Sequence, residues 1–236
     1  MNIESCSYKL LTGNCDVNRR LRLSELFNWF QEAAIRHTEI MGMGRTKTLD
    51  RGLLWIVIQW RVEIERLPEY DEIVTVETWP GTTMHVFFPR YFRIKDSKGH
   101  ILVQASSLWA LMDQETRHVV FPEEAGIAIE GTAVDGQPVL PKPPRIGDLS
   151  SEQTYTVSYS VLDLNGHMNN TRYFDLVQDV LYREKKAVPP KLIQCEYSSE
   201  AKYGETITVK YGEADHVVSI LGEADRRVFR MTFTYE

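Results

Sequence analysis

The spacing of apolar and polar residues changes period along the chain, and each change marks an element. Residues 5–12 read as a short strand. From Leu23 the apolar positions fall at Leu23, Leu26, Phe27, Phe30, Ala34 and Met41, which predicts an amphipathic helix. Ser24 is placed to cap its first turn, and Gly42 and Gly44 to end it. Leu53–Glu65, Ile73–Trp79, Val86–Ile94 and Ile101–Met112 are rich in β-branched and aromatic residues and are predicted strands. Asp96-Ser97-Lys98-Gly99 makes a hairpin turn between the last two, and Pro89 inside a strand points to an edge or a bulge. Residues 122–150 carry Pro122, Pro138, Pro141, Pro143 and Pro144 with little periodicity; they read as a linker, extended near Pro141–Arg145.

After the linker the order restarts. Tyr155–Val161 alternates as a strand, and a helix is expected from about Asn169 to Glu184, with Tyr173, Val177, Val180 and Leu181 on one stripe. Lys191–Ser198, Thr206–Tyr211, Val217–Leu221 and Arg227–Tyr235 are predicted strands. In the last, Phe229, Met231, Phe233 and Tyr235 alternate with Arg230, Thr232 and Thr234, one buried face against one wet face.

Strand, helix, strands therefore occurs twice, dividing the chain into 1–121, a linker 122–150, and 151–236. Residues repeat as well as elements. Glu63-Ile64-Glu65 through Val76 aligns with Glu196-Tyr197-Ser198 through Val209, 133 positions on. Asp16-Val17-Asn18-Arg19-Arg20 aligns with Asp163-Leu164-Asn165-Gly166-His167, 147 positions on, which sets Phe27 on Phe174 and Gln31 on Gln178. An internal duplication follows. A helix embraced by an antiparallel sheet, present twice, gives an α+β chain whose two sheets can join edge to edge, with a groove where the halves meet. One copy has His167 where the other has Arg20, so one working site per chain is expected, with the first half left for substrate binding.

Composition narrows the classes. A chain of 236 residues that is 43% hydrophobic has ample core, and its net charge of −6 argues against general nucleic-acid binding. Local basic clusters exist at Arg19, Arg20 and Arg22, at Lys185, Lys186 and Lys191, and at Arg226, Arg227 and Arg230; each reads first as a solvated face. The longest purely apolar run, Leu53 to Ile58, is far short of a bilayer span, so membrane insertion is not expected. The N-terminus resembles neither a signal nor a transit peptide, and Cys6, Cys15 and Cys195 form no disulfide pattern, which points to a reducing cytoplasm.

The candidate chemistry sits in Asp163-Leu164-Asn165-Gly166-His167-Met168-Asn169-Asn170-Thr171-Arg172-Tyr173, which runs straight into the second helix. Asp163, Asn165 and His167 alternate, so on an extended backbone they would share one face. His167 is the natural proton carrier near neutral pH, and the Asn165 amide can polarise a carbonyl. Asp163 can act as a nucleophile, as a general base on water, or as a turn former, and the residues alone leave these open. Asn169 and Asn170 hold the helix entry, where free N–H groups can stabilise an oxyanion. Such a cluster suits hydrolysis or acyl transfer better than metal binding, since the six histidines show no ligand spacing.

This run resembles the Asp-x-Asn-x-His-Val-Asn-Asn-x-x-Tyr signature of the acyl–acyl-carrier-protein thioesterases, bacterial and plant. Leu54-Trp55-Ile56-Val57, Glu63 through Pro68 and Val74 through Pro80 resemble the same family, so the likeness covers essentially the whole chain. The resemblance implies a double hot-dog fold, two antiparallel sheets each wrapped around a long helix. It also implies hydrolysis of the thioester joining a fatty acyl chain to the phosphopantetheine arm of acyl carrier protein, with no cofactor and no metal. Asp163, Asn165, His167 and Glu200 are then catalytic. Glu200, locally an ordinary strand-end glutamate, enters only through the resemblance. Plant members carry a Glu-Cys pair where this chain has Glu200-Ala201, and Cys195 does not replace that cysteine, which favours a carboxylate- and water-based mechanism. An acidic carrier is expected to dock on a basic cluster near the site, around Arg172 or Lys185–Lys186. An acyl-CoA thioesterase and a non-catalytic acyl-binding hot-dog protein are the alternatives. A monomer or a homodimer is compatible with a duplicated chain.

Overall fold

The computed structural model describes residues 3–184, 186 and 188–236; Lys185 lies outside them. The first half comprises β1 (Glu4–Lys9), α1 (Leu23–Ile40), β2 (Leu53–Ile64), β3 (Ile73–Pro80), β4 (Phe88–Lys95), β5 (Ile101–Asp113) and the short β6 (Val119–Val120) and α2 (Pro122–Ala125). The second comprises β7 (Ser151–Thr156), α3 (Tyr173–Arg183), β8 (Leu192–Tyr197), β9 (Thr206–Ala214), β10 (Val217–Glu223) and β11 (Arg227–Thr234). All strands pair antiparallel in one 11-stranded sheet of order β1-β3-β4-β5-β2-β8-β11-β10-β9-β7, with β6 on β5. The halves join through β2 and β8, from Gln59 opposite Glu196 to Glu63 opposite Leu192. This is the double hot-dog arrangement.

Helices α1 and α3 lie against the inner face. Phe27 and Phe30 of α1 pack on Trp60, and Phe30 also meets Phe92. On α3, Tyr173 meets Phe229 edge-on. The helices touch each other where Phe27 stacks on Phe174, ring centroids 3.6 Å apart. Burying such side chains stabilises the fold by roughly 1.5–3 kcal/mol each.

The duplication is visible bond by bond. Asp16 Oδ1 accepts the N–H groups of Asn18 (2.8 Å) and Arg20 (2.9 Å), and the Asp16 N–H donates to the Arg20 carbonyl (2.8 Å). Asp163 Oδ1 accepts from Asn165 (2.8 Å) and His167 (3.2 Å), and the Asp163 N–H donates to the His167 carbonyl (2.7 Å). Arg19 at φ +62° matches Gly166 at φ +77°. Downstream, Leu21 N–H to the Pro68 carbonyl matches Met168 N–H to the Ala201 carbonyl, so Leu67 stands where the second half has Glu200.

Several expectations are corrected. Ser24 is buried and caps nothing; the neighbouring Leu23 N–H donates instead to Gln178 Oε1 of α3, at 2.9 Å. Pro89 lies in neither an edge strand nor a bulge: it is the second residue of interior β4, where its carbonyl accepts the Gly81 N–H. Strand β7 starts earlier than expected and ends at Thr156, because residues 159–161 form a 3₁₀ turn. A 3₁₀ turn at Asn170–Arg172 likewise precedes α3. Residues 127–150 carry no regular element but are tied to the sheet's outer face. Arg93 Nη2 donates to the Asp135 carbonyl (2.6 Å), Ser106 Oγ to that of Val139 (2.5 Å), and the Gly147 N–H to Ser219 Oγ (3.0 Å). That face is therefore not wholly wet, and Ser219 and Thr232 are buried. No helix among the described residues is long and apolar enough to cross a membrane.

Candidate active site

The signature residues enter the groove through a turn, not an extended strand. Asp163 captures two backbone N–H groups with one carboxylate oxygen, an Asx-type turn, and Gly166 supplies the left-handed residue that closes it. A side chain there without glycine's freedom is tolerated in the first copy, where Arg19 takes the same conformation. The turn brings Asp163, Asn165 and His167 together on the rim of a groove of about 840 Å³.

The opposite rim is β2. At Ile58 the pairing of β2 with β5 shifts register, and only from Gln59 onward does β2 pair with β8. Residues 54–58 thus diverge from β8 and wall the groove. Glu200, in the segment leaving β8, closes it from below. Its Oε2 stands 3.4 Å from His167 Nε2 and forms an ion pair with the Arg117 guanidinium. Its Oε1 makes no hydrogen bond among the described residues. All four residues singled out in the sequence therefore line one groove.

His167 is mostly buried, and its Nδ1 has no partner among the described residues, so Nε2 is the nitrogen directed at Glu200. The Asn165 side-chain amide is exposed to the groove and makes no hydrogen bond among the described residues. Asn169 caps the helix entry, its Oδ1 accepting the Thr171 N–H (2.9 Å). Tyr197 donates its hydroxyl to the Asn170 carbonyl at 2.7 Å, and burial pushes that hydroxyl's pKa well up, so it stays a donor.

The first-half counterpart of this helix start is bonded differently. Leu23 is the equivalent of Asn170, and its N–H is filled by Gln178. Gln31, the equivalent of Gln178, makes no such bond, and the Asn170 N–H has no acceptor among the described residues. A helix-start N–H of a groove-lining residue is thereby left without a protein acceptor, and such a group can receive a ligand oxygen.

Arg117 escaped sequence reasoning. It follows β5 in a turn at φ +59°, far in sequence from Glu200, and only the positive φ of a non-glycine residue marks it as unusual. Of the expected docking cations, Lys185 lies outside the described residues, and Lys186 and Arg172 do not line the His167 groove. Lys186 borders the other groove, beside Asp16 and Arg20, and pairs with Glu213; Arg172 pairs with Asp175. The cations on the His167 groove are Arg117, Lys202 and Arg226. Ala201 is fully buried, Cys195 is buried with its thiol pushed above the usual range, and no cysteine lines this groove among the described residues.

Comparison with known proteins agrees with the fold. Residues 3–125 match the acyl-ACP thioesterase N-terminal domain and residues 147–225 the acyl-ACP thioesterase C-terminal domain. A palmitoyl-acyl carrier protein thioesterase of Cuphea hookeriana is 29% identical over 80% of this chain and 47% of its own length. The chain thus spans about half the length of the curated relatives it matches. An acyl-ACP thioesterase structure from Bacteroides thetaiotaomicron superposes with a TM-score of 0.85 at 23% identity, covering 100% of this chain and 98% of that one. The 12:0-ACP thioesterase of Umbellularia californica superposes equally well, with a TM-score of 0.85 at 21% identity over 100% and 98% of the two chains. The chain belongs to the acyl-ACP thioesterase family.

Proposed function

We propose that the chain hydrolyses the thioester between a fatty acyl chain and the phosphopantetheine arm of acyl carrier protein, releasing free fatty acid. The observation that carries this reading is the pairing of His167 Nε2 with Glu200 at 3.4 Å, beside an unoccupied helix-start N–H, in the one copy of the duplicated turn that has both residues.

The thioester oxygen is received by the Asn170 N–H and the Asn165 amide, which stabilise the negative charge that develops as water attacks the carbonyl carbon. Glu200 Oε1 takes the proton from that water, while Arg117 fixes the carboxylate through Oε2. Collapse of the tetrahedral intermediate breaks the carbon–sulfur bond, and His167 relays the proton to the departing thiolate. Asp163 acts as a positioning residue: Asp16 makes the same turn in the copy that has neither histidine nor glutamate. Lys202 offers positive charge to the acidic carrier, whereas Arg226 is already paired with Glu205 and Asp225.

The acyl chain occupies the first half. An apolar cavity of about 280 Å³ lies between α1, β2, β4 and β5, and Trp55 belongs to the walls of both this cavity and the His167 groove. Each methylene buried there contributes about 0.8 kcal/mol. Turnover of matched acyl chains on carrier protein and on CoA tests the reading. Faster turnover on carrier protein is expected; preference for CoA would make this an acyl-CoA thioesterase, and no turnover on either a binding protein.

A further inference from the structure

The acyl cavity has in its wall a buried cation, Arg90, that forms no ion pair among the described residues. Arg90, on β4, is 5% exposed and borders the cavity. Its Nη1 donates to Thr78 Oγ1 (3.3 Å) and to His37 Nδ1 (3.2 Å), and its Nη2 to Thr38 Oγ1 (3.0 Å). Every one of these partners is neutral. Burial, then the neighbouring Arg90 charge, pulls His37 down to about 4, so it carries no charge at physiological pH. The Nε–H and the second Nη2 hydrogen have no acceptor among the described residues. The carboxylate on the cavity wall, Glu39, is exposed and accepts the Arg45 N–H at 2.7 Å instead. The last turn of α1, which carries His37 and Thr38, offers Arg90 only the partial negative charge of a helix end.

A second donor without a partner among the described residues belongs to Trp55, which lines both this cavity and the His167 groove. The Trp55 indole N–H is buried without a partner, whereas that of Trp109, on the same wall, is satisfied by Ser107 Oγ at 2.7 Å. A cavity built only for hydrocarbon gains nothing from either feature, because a buried charge or N–H left uncompensated is costly.

We propose that this cavity selects acyl chains bearing a hydrogen-bond-accepting oxygen towards their far end, a carboxylate or a hydroxyl, and that Arg90 is the residue that receives it. The inference rests on reading the cavity as the acyl site. The chain oxygen takes the open Nε–H and Nη2–H of Arg90, and a carboxylate supplies the missing counter-charge as well. Thr78, Thr38 and His37 hold the guanidinium in place from the other side.

The test uses amide-linked acyl-pantetheine analogues, which cannot be hydrolysed, in matched sets of equal chain length: plain, ω-hydroxy and ω-carboxy. Binding is followed by tryptophan fluorescence, and hydrolysis of the corresponding carrier-protein thioesters is measured in parallel. The wild-type protein is expected to bind at least one oxygenated analogue about tenfold or more tightly than the plain chain. Arg90→Met is expected to erase or reverse that ratio. Equal or weaker binding of both oxygenated analogues by the wild-type protein overturns the proposal, whether or not the variant folds. So does an oxygen preference that Arg90→Met leaves intact. Absence of hydrolysis on every thioester would instead sink the enzymatic reading, while the binding ratio still decides the role of Arg90.

Discussion

Phe27 of α1 and Phe174 of α3 stack face to face, centroids 3.6 Å apart and planes 6° from parallel. They are the same position of the duplicated unit, 147 residues apart, so the stack lies where the two halves mirror each other. Neither ring has more than 2% of its surface exposed. Replacing either with alanine is expected to cost roughly 3–5 kcal/mol of unfolding free energy. The double variant should show a coupling of about 0.5–1.5 kcal/mol in a denaturant-melt cycle. Strict additivity would mean that the helices do not meet there.

The two aspartate turns separate structure from chemistry. Asp163→Asn keeps an oxygen for both backbone N–H groups, so it should retain activity within about tenfold of wild type, whereas Asp163→Ala should lose most of it. Asp16→Ala should lower stability by about 1–2 kcal/mol through the same two lost bonds. It should leave kcat nearly unchanged. Steady-state kinetics and thermal melts on the three variants decide the point. An inactive but fully folded Asp163→Asn would return Asp163 to a nucleophile or general base.

His37 gives the fold an acid-sensitive edge. Its pKa falls from an ordinary 6.5 to about 4 on folding, chiefly by burial and then by Arg90. The unfolded chain therefore binds the proton first. The stability contributed by neutral His37 is complete above about pH 6.5 and is lost as pH falls towards 4, by an amount on the order of 3 kcal/mol. Urea melts across that range should show the decline, and His37→Gln should flatten it. An unchanged slope in the variant would assign the acid sensitivity to other groups.

The sequence exposed the repeat because both copies kept their turn residues: Asp16 and Asp163 at the turns, and Tyr70–Val76 against Tyr203–Val209 in the strands. Alternation located most strands to within a few residues, because they have one buried face; the exposed edge strand β7, with no buried residue, was displaced by several. What sequence could not show was set by distant contacts. Arg117 reaches Glu200 across the join between halves, and nothing near it in the chain announces that partner. Arg90 sits on the inward-facing phase of β4 with Phe88 and Phe92, where a local reading expects an apolar residue. That the Asn170 N–H lacks the protein acceptor that Gln178 gives Leu23 becomes visible only when the two copies are compared. The alternation of Asp163, Asn165 and His167 suggested a strand, but the Asp163 carboxylate bends that stretch into a turn.

The pairing of His167 with Glu200 carries the functional account and is the relationship most directly open to measurement. Thiol release from acyl-acyl carrier protein should be followed for the wild-type protein, His167→Ala and Glu200→Gln, with circular dichroism to verify that each variant is folded. Loss of a positioned acid or base predicts a fall in kcat of roughly 10²–10⁴-fold for each variant. The double variant should be little worse than the poorer single one, because the two residues act as a unit. Wild-type rates in folded His167→Ala and Glu200→Gln would contradict the account.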